Sequence, residues 1–94
     1  MAEKIVKEMK LLNKYGMHVR PAGLFAKTAS RFDATIMVEK DGNEVSGKSI
    51  MALMTLEAVA GTVLKVSAEG PEAELALAEL EALVNRRFDI PDEQ

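Results

Sequence analysis

The spacing of apolar residues alternates between a two-residue and a three-to-four-residue period along the whole chain, and the order of those switches limits the fold more than any other feature. Ile5, Met9 and Leu11 share one parity over residues 4–11, with Lys7 interrupting. This predicts a first strand that stops before the turn-rich Asn13-Lys14-Tyr15-Gly16. From Pro21 to Phe32 the period lengthens: Leu24, Phe25, Thr28, Ala29 and Phe32 recur at helical spacing. Pro21 fits only a first helical turn, so the helix starts within about three residues of His18.

Thr35–Glu39 alternates again, with Ile36 and Val38 on one face. Asp41-Gly42 then offers a hairpin turn into a short strand at Asn43–Ser46. Ser49 is a natural N-cap for a helix beginning Ile50-Met51-Ala52-Leu53-Met54, which Gly61 is expected to end. Thr62–Glu69 reads as a strand with Leu64, Val66 and Ala68 inward and Lys65, Ser67 and Glu69 outward. Gly70-Pro71 opens a last helix whose buried stripe is Ala73, Ala76, Leu77, Leu80, Leu83 and Val84. Arg86 and Arg87 are expected in its final turn, where cations suit the helix dipole. Phe88 closes the core, and Ile90–Gln94 forms a frayed tail.

The predicted order is strand, helix, strand, strand, helix, strand, helix. That order implies an α+β sandwich with helices on one face of a sheet and solvent on the other. Pattern alone leaves the ferredoxin-like fold and its ligand-binding variants as competitors. A chain of 94 residues with no linker or internal repeat supplies one core, so residues 1–94 are read as a single domain.

Composition narrows the chemistry. Twelve basic and fifteen acidic side chains give a net charge of −3, which argues against a nucleic-acid partner held by phosphate contacts. No apolar run approaches the roughly 18 residues that a membrane-spanning helix needs. Met1–Lys10 is charged and lacks the apolar stretch of a signal peptide, so a cytoplasmic location is expected. There are no cysteines, which excludes disulfides and thiol nucleophiles, and a single histidine, His18. A catalytic metal site is disfavoured because no second histidine or cysteine exists to share coordination, and no metal or cofactor is expected. Ser30 and Asp33 are near His18 in sequence, but nothing groups them into a hydrolase triad.

His18 lies in Gly16-Met17-His18-Val19-Arg20-Pro21-Ala22, directly before the first helix. Helix N-termini present unpaired amides and a partial positive charge, so a phosphate on His18 meets donors already in place. Arg20 adds a planar fork of donors, and Gly16 permits a backbone turn that lets the ring stand clear. The neutral ring has a lone pair that can attack phosphorus. The plainer alternative is a surface histidine capping a helix in a small regulatory or ligand-binding α+β module without phosphotransfer.

Residues 16–22 resemble the active-site motif of the HPr phosphocarrier proteins of the bacterial phosphotransferase system. Lys48-Ser49-Ile50-Met51, followed by Met54, resembles that family's regulatory-serine segment. The resemblance spans roughly residues 4 to 85 without gaps. Met17 and Val19 depart from the more usual Leu or Ile and Ala.

The resemblance implies an open-faced β-sandwich: a four-stranded antiparallel sheet with three helices on one face, in βαββαβα order. It implies a carrier, not a turnover enzyme, with His18 accepting a phosphoryl group from phospho-enzyme I and donating it to an enzyme IIA domain. Phosphoenolpyruvate is the ultimate donor, and Arg20 steadies the phosphate. Ser49 is implied as a regulatory phosphorylation site, with an HPr serine kinase/phosphorylase as a further partner. Val19, Lys27, Lys48, Ile50, Met51 and Met54 are the expected partner-binding residues. Leu53 and Leu56 are expected in the core, and the chain is expected to be a monomer. Arg20, Lys27, Arg31 and Lys48 are expected to make a basic docking face on an otherwise acidic protein.

Overall fold

The computed structural model describes residues 3–91. Its elements are β1 (Lys4–Lys10), α1 (Val19–Ala29), β2 (Thr35–Lys40), β3 (Asn43–Ser46), α2 (Ile50–Met54), β4 (Val63–Glu69) and α3 (Ala73–Asn85), followed by a single turn at Arg87–Asp89. The strands form one antiparallel sheet in the order β1-β4-β2-β3, with β1 and β3 at its edges. α3 lies over β1 and β4, α2 lies beside β3, and α1 packs between the other two helices. This is the expected four-stranded open-faced sandwich.

The alternation seen in sequence sets which face is covered. Met9, Ile36, Val38, Leu64, Val66 and Ala68 point under the helices and are buried. They meet Phe25 from α1, Leu53 from α2 and Leu77, Leu80 and Val84 from α3. Lys7 shares the inward parity of Ile5 and Met9 yet stays exposed, because β1 is an edge strand. Its ammonium reaches round to Glu81 of α3 at 3.1 Å.

α1 and α3 run antiparallel. Asp33, just after α1, receives the N–H of Glu72 at 3.0 Å, and its own N–H donates to the Glu72 carboxylate at 2.7 Å. The chain therefore leaves α3 at the end of α1 that carries His18. There the turn at Arg87–Asp89 contacts α1 and seats Phe88 in the core, 1% exposed.

Several expectations need correction. α1 begins at Val19, within the expected three residues of His18, but ends at Ala29, three short of Phe32. α2 is only five residues long: Thr55 is its C-cap, Glu57 already has φ 51°, and Gly61 belongs to the turn before β4, not to the helix end. Ser67 has outward parity but is 6% exposed, because it lies mid-sheet between Val6 and Met37 and is too small to rise past them. Arg86 and Arg87 lie beyond the last turn of α3: Arg86 is the C-cap, bonded to Asp89 at 3.1 Å, and Arg87 has φ 56°. Ile90 packs against the core instead of fraying; residues 92–94 of the expected tail lie outside the described residues.

Candidate functional site

His18 is the N-cap of α1, with extended backbone angles of φ −84° and ψ −170°. Its carbonyl accepts the N–H of Ala22 at 2.9 Å, but its side chain makes no capping hydrogen bond to the helix. The plainer reading of His18 as a side-chain cap is therefore not the one the geometry adopts. Pro21 has no N–H and that of Ala22 is committed to the His18 carbonyl, so the amides of Val19 and Arg20 are the ones that face an anion at this end. The aligned peptide dipoles add roughly half a positive charge at the same point. Val19 and Arg20 are exposed and His18 is half-buried.

The loop before His18 is held from below. Gly16 has φ 67°, and a Cβ there would come within 2.2 Å of the Ala58 carbonyl. Met17, buried, donates its N–H to that same carbonyl at 2.8 Å. Asn13, only 2% exposed, donates from Nδ2 to the Gly16 carbonyl at 2.7 Å. Tyr15 presents its ring edge-on to the His18 ring, with centroids 6.1 Å apart, and Lys14 Nζ lies 5.3 Å from the Tyr15 centroid. Sequence reasoning gave Asn13 and Tyr15 no part beyond the turn after β1. Both instead shape the surroundings of His18.

On the second element, Ser49 caps α2: its Oγ accepts the N–H of Ala52 at 3.2 Å, as expected. α2 packs on α1, with Ile50 Cδ1 3.9 Å from where a Cβ on Gly23 would lie. Ile50, Met51 and Met54 are exposed, Met51 to 80%, while Leu53 and Leu56 are buried, as the resemblance implied. Val19 joins these exposed apolar residues from α1. Val59 is a further one, 65% exposed in the loop that supports Gly16. Sequence reasoning missed it, because residues 58–60 were expected inside a helix that ran on to Gly61.

The basic residues do not gather around His18 as expected. Lys27 is exposed and lies about 13 Å along α1 from His18, at 1.5 Å per residue. Arg31 is beyond the far end of α1 and pairs with Glu79 at 3.8 Å. Lys48 donates to the Phe32 carbonyl at 3.1 Å, tying the end of α1 to the start of α2. Of these four, Arg20 is the one within two residues of the histidine. A cleft of about 620 Å³, lined by Glu3, Glu72, Glu74 and Leu75, lies at the opposite pole beside the start of α3. No helix is long and apolar enough to cross a membrane, and no group of three or more metal-ligating side chains occurs, among the described residues.

The fold is a one-sided antiparallel sandwich that carries a histidine at the N-terminus of its first helix. The family model described as the PTS HPr component phosphorylation site matches residues 5–86, and the chain belongs to that HPr family. It is 41% identical over 85 residues to the phosphocarrier protein HPr of Treponema pallidum, covering 90% of this chain and 97% of the relative. It is 39% identical over 82 residues to the phosphocarrier protein NPr of Escherichia coli, covering 86% and 91%. Among solved structures, HPr from Thermoanaerobacter tengcongensis superimposes with a TM-score of 0.83 at 44% identity, covering 94% of this chain and 97% of that one.

Proposed function

We propose that this chain is a phosphoryl carrier acting through His18. A ring nitrogen of His18 attacks the phosphorus of a phosphohistidine on enzyme I, forming one N–P bond as the donor's N–P bond breaks. The same group then passes to a histidine of an enzyme IIA domain. Phosphoenolpyruvate supplies it at the start. The observation that carries this reading is that His18 occupies the N-cap of an eleven-residue helix without spending its side chain on the cap. The first-turn amides and Arg20 then share the phosphate oxygens.

An exposed helix-end contact is worth only about 0.3–1 kcal/mol, which suits a group that must leave again. Most stabilisation of the transition state falls to the partner's site, by positioning and electrostatics. Val19, Ile50, Met51 and Met54 offer partners an adaptable apolar surface beside the histidine. Phosphorylation of Ser49 by a serine kinase would add about −2 charge to this surface while keeping an acceptor at the start of α2. Lys27 and Lys48 contribute long-range attraction to acidic partners. The carrier works as a cytoplasmic, single-domain monomer.

Incubation with phosphoenolpyruvate and enzyme I is expected to give acid-labile label on the wild type and none on His18→Ala. Arg20→Ala is expected to keep the circular dichroism spectrum and to slow transfer. Undiminished label on His18→Ala overturns the assignment. An unlabelled wild type returns the chain to a binding module without phosphotransfer.

A further inference from the structure

We infer that Asn13 is a positioning residue for His18, acting through the carbonyl of Gly16. Asn13 stands five residues before the histidine and outside the helix that carries it. Asn13 is almost wholly buried, as are Leu11 before it and Met17 after it in the chain. Nδ2 donates to the Gly16 carbonyl at 2.7 Å, while Oδ1 is buried and accepts no hydrogen bond among the described residues. A buried amide with one atom unpaired is a poor choice for stability alone, since an apolar side chain there avoids the desolvation of Oδ1. What the amide supplies instead is a fixed link across the turn.

The link acts on a backbone with little other freedom. The Gly16 N–H donates to the Asn13 carbonyl at 3.3 Å, so residues 13 and 16 are joined by two hydrogen bonds, one from the backbone and one from the side chain. On the other side Gly16 lies against Ala58 and Val59 so closely that no Cβ fits. Met17 is then held by the Ala58 carbonyl, and Leu11 exchanges hydrogen bonds with Gly61 and Thr62 at 2.8 and 2.9 Å. The direction in which the chain enters His18 is set by the peptide of Gly16. The Asn13 side chain holds that peptide's oxygen. Without it the oxygen is left buried and unpaired, and the peptide can rotate to find water. The imidazole then no longer stands where the amides of Val19 and Arg20 meet its phosphate. Displacements of about 1 Å at a reacting group are enough to cost large factors in rate.

The inference rests on His18 being the phosphoryl acceptor, so the test has one arm that needs no phosphate. Asn13→Ala is compared with Val84→Ala, a core truncation in α3 whose side chain is equally buried. Both are studied well below their melting temperatures. In the unphosphorylated proteins, Asn13→Ala is expected to shift the ring resonances of His18 and to speed hydrogen exchange at Gly16 and Met17, whereas Val84→Ala leaves the ring resonances in place. With enzyme I and phosphoenolpyruvate, Asn13→Ala is expected to transfer roughly tenfold more slowly than Val84→Ala, the factor that 1.36 kcal/mol gives. Asn13→Asp, the same shape with the donor replaced by an acceptor, is expected to be as slow. Unmoved ring resonances, or transfer equal to Val84→Ala, overturn the positioning role while the carrier reading stands. If the wild type takes no label, the carrier reading fails, and the ring resonances alone decide whether Asn13 sets the place of His18.

Discussion

The ring of Tyr15 meets the ring of His18 edge-on, at an interplanar angle of 87°. An edge-to-face pair fixes the orientation of the exposed face of an imidazole, but at the surface it adds little to folding. Tyr15→Ala is expected to move the His18 ring resonances by loss of the tyrosine ring current, with thermal stability changed by no more than about 0.5 kcal/mol. One-dimensional proton spectra and a melting curve together check this. Unmoved resonances would show that the two rings are not held together in solution.

Gly16 is where the loop can least accept a side chain. Both its positive φ and the Ala58 carbonyl oppose a Cβ, so Gly16→Ala is expected to cost on the order of 2–4 kcal/mol. Gly42 provides the control: its φ is 86°, but nothing lies within 4 Å of an added Cβ. Gly42→Ala should therefore cost only the left-handed penalty, about 1–2 kcal/mol. Urea unfolding of the two variants separates backbone strain from collision, and equal losses would contradict the close approach at Ala58.

The Ser49 side chain caps the start of α2, so Ser49→Ala is expected to lose about 1 kcal/mol. Aspartate caps as well as serine does and suits the helix dipole, so Ser49→Asp should melt near the wild type. Its added charge lies next to Ile50 and Met51, and enzyme I is expected to bind it more weakly. Calorimetric titration reads the affinity; binding equal to wild type would refute the electrostatic account of regulation.

Phe88 is two residues past the stretch matched by the family model, yet it is among the largest fully buried side chains. Phe88→Ala is expected to destabilise by about 3–4 kcal/mol, in the range of buried aromatic truncations. A loss under about 1 kcal/mol in urea unfolding would mean that the turn at Arg87–Asp89 does not hold the ring in solution.

Where a face is alternately wet and dry, the sequence carried its own description. Leu64, Val66 and Ala68 announced β4, and the stripe from Ala73 to Val84 announced α3. The end of α2 was less legible, because Leu56 keeps an apolar period after the backbone has left the helix at Thr55. Ser67 was misplaced because parity tells which face a residue takes and not how deep its neighbours leave it. At the site, His18, Arg20 and Ser49 could be named from local chemistry and resemblance. Asn13 could not, since asparagine in a turn is ordinary and only the fold shows that this one is buried. The dispersal of the basic residues was hidden for a related reason: Lys48 and Arg31 are claimed by Phe32 and Glu79, partners that only the packing of α1 supplies.

The sheet order leaves two strands with unpaired backbone edges, and each edge is guarded in its own way. β3 is four residues long, too short to template much pairing, and β1 carries an exposed lysine at every third position, Lys4, Lys7 and Lys10. A second copy laid along β1 would have to bring ammonium groups together and strip their water. Edge-to-edge pairing along β1 is thereby disfavoured, and the sheet is kept from growing by the same lysines that solvate its rim.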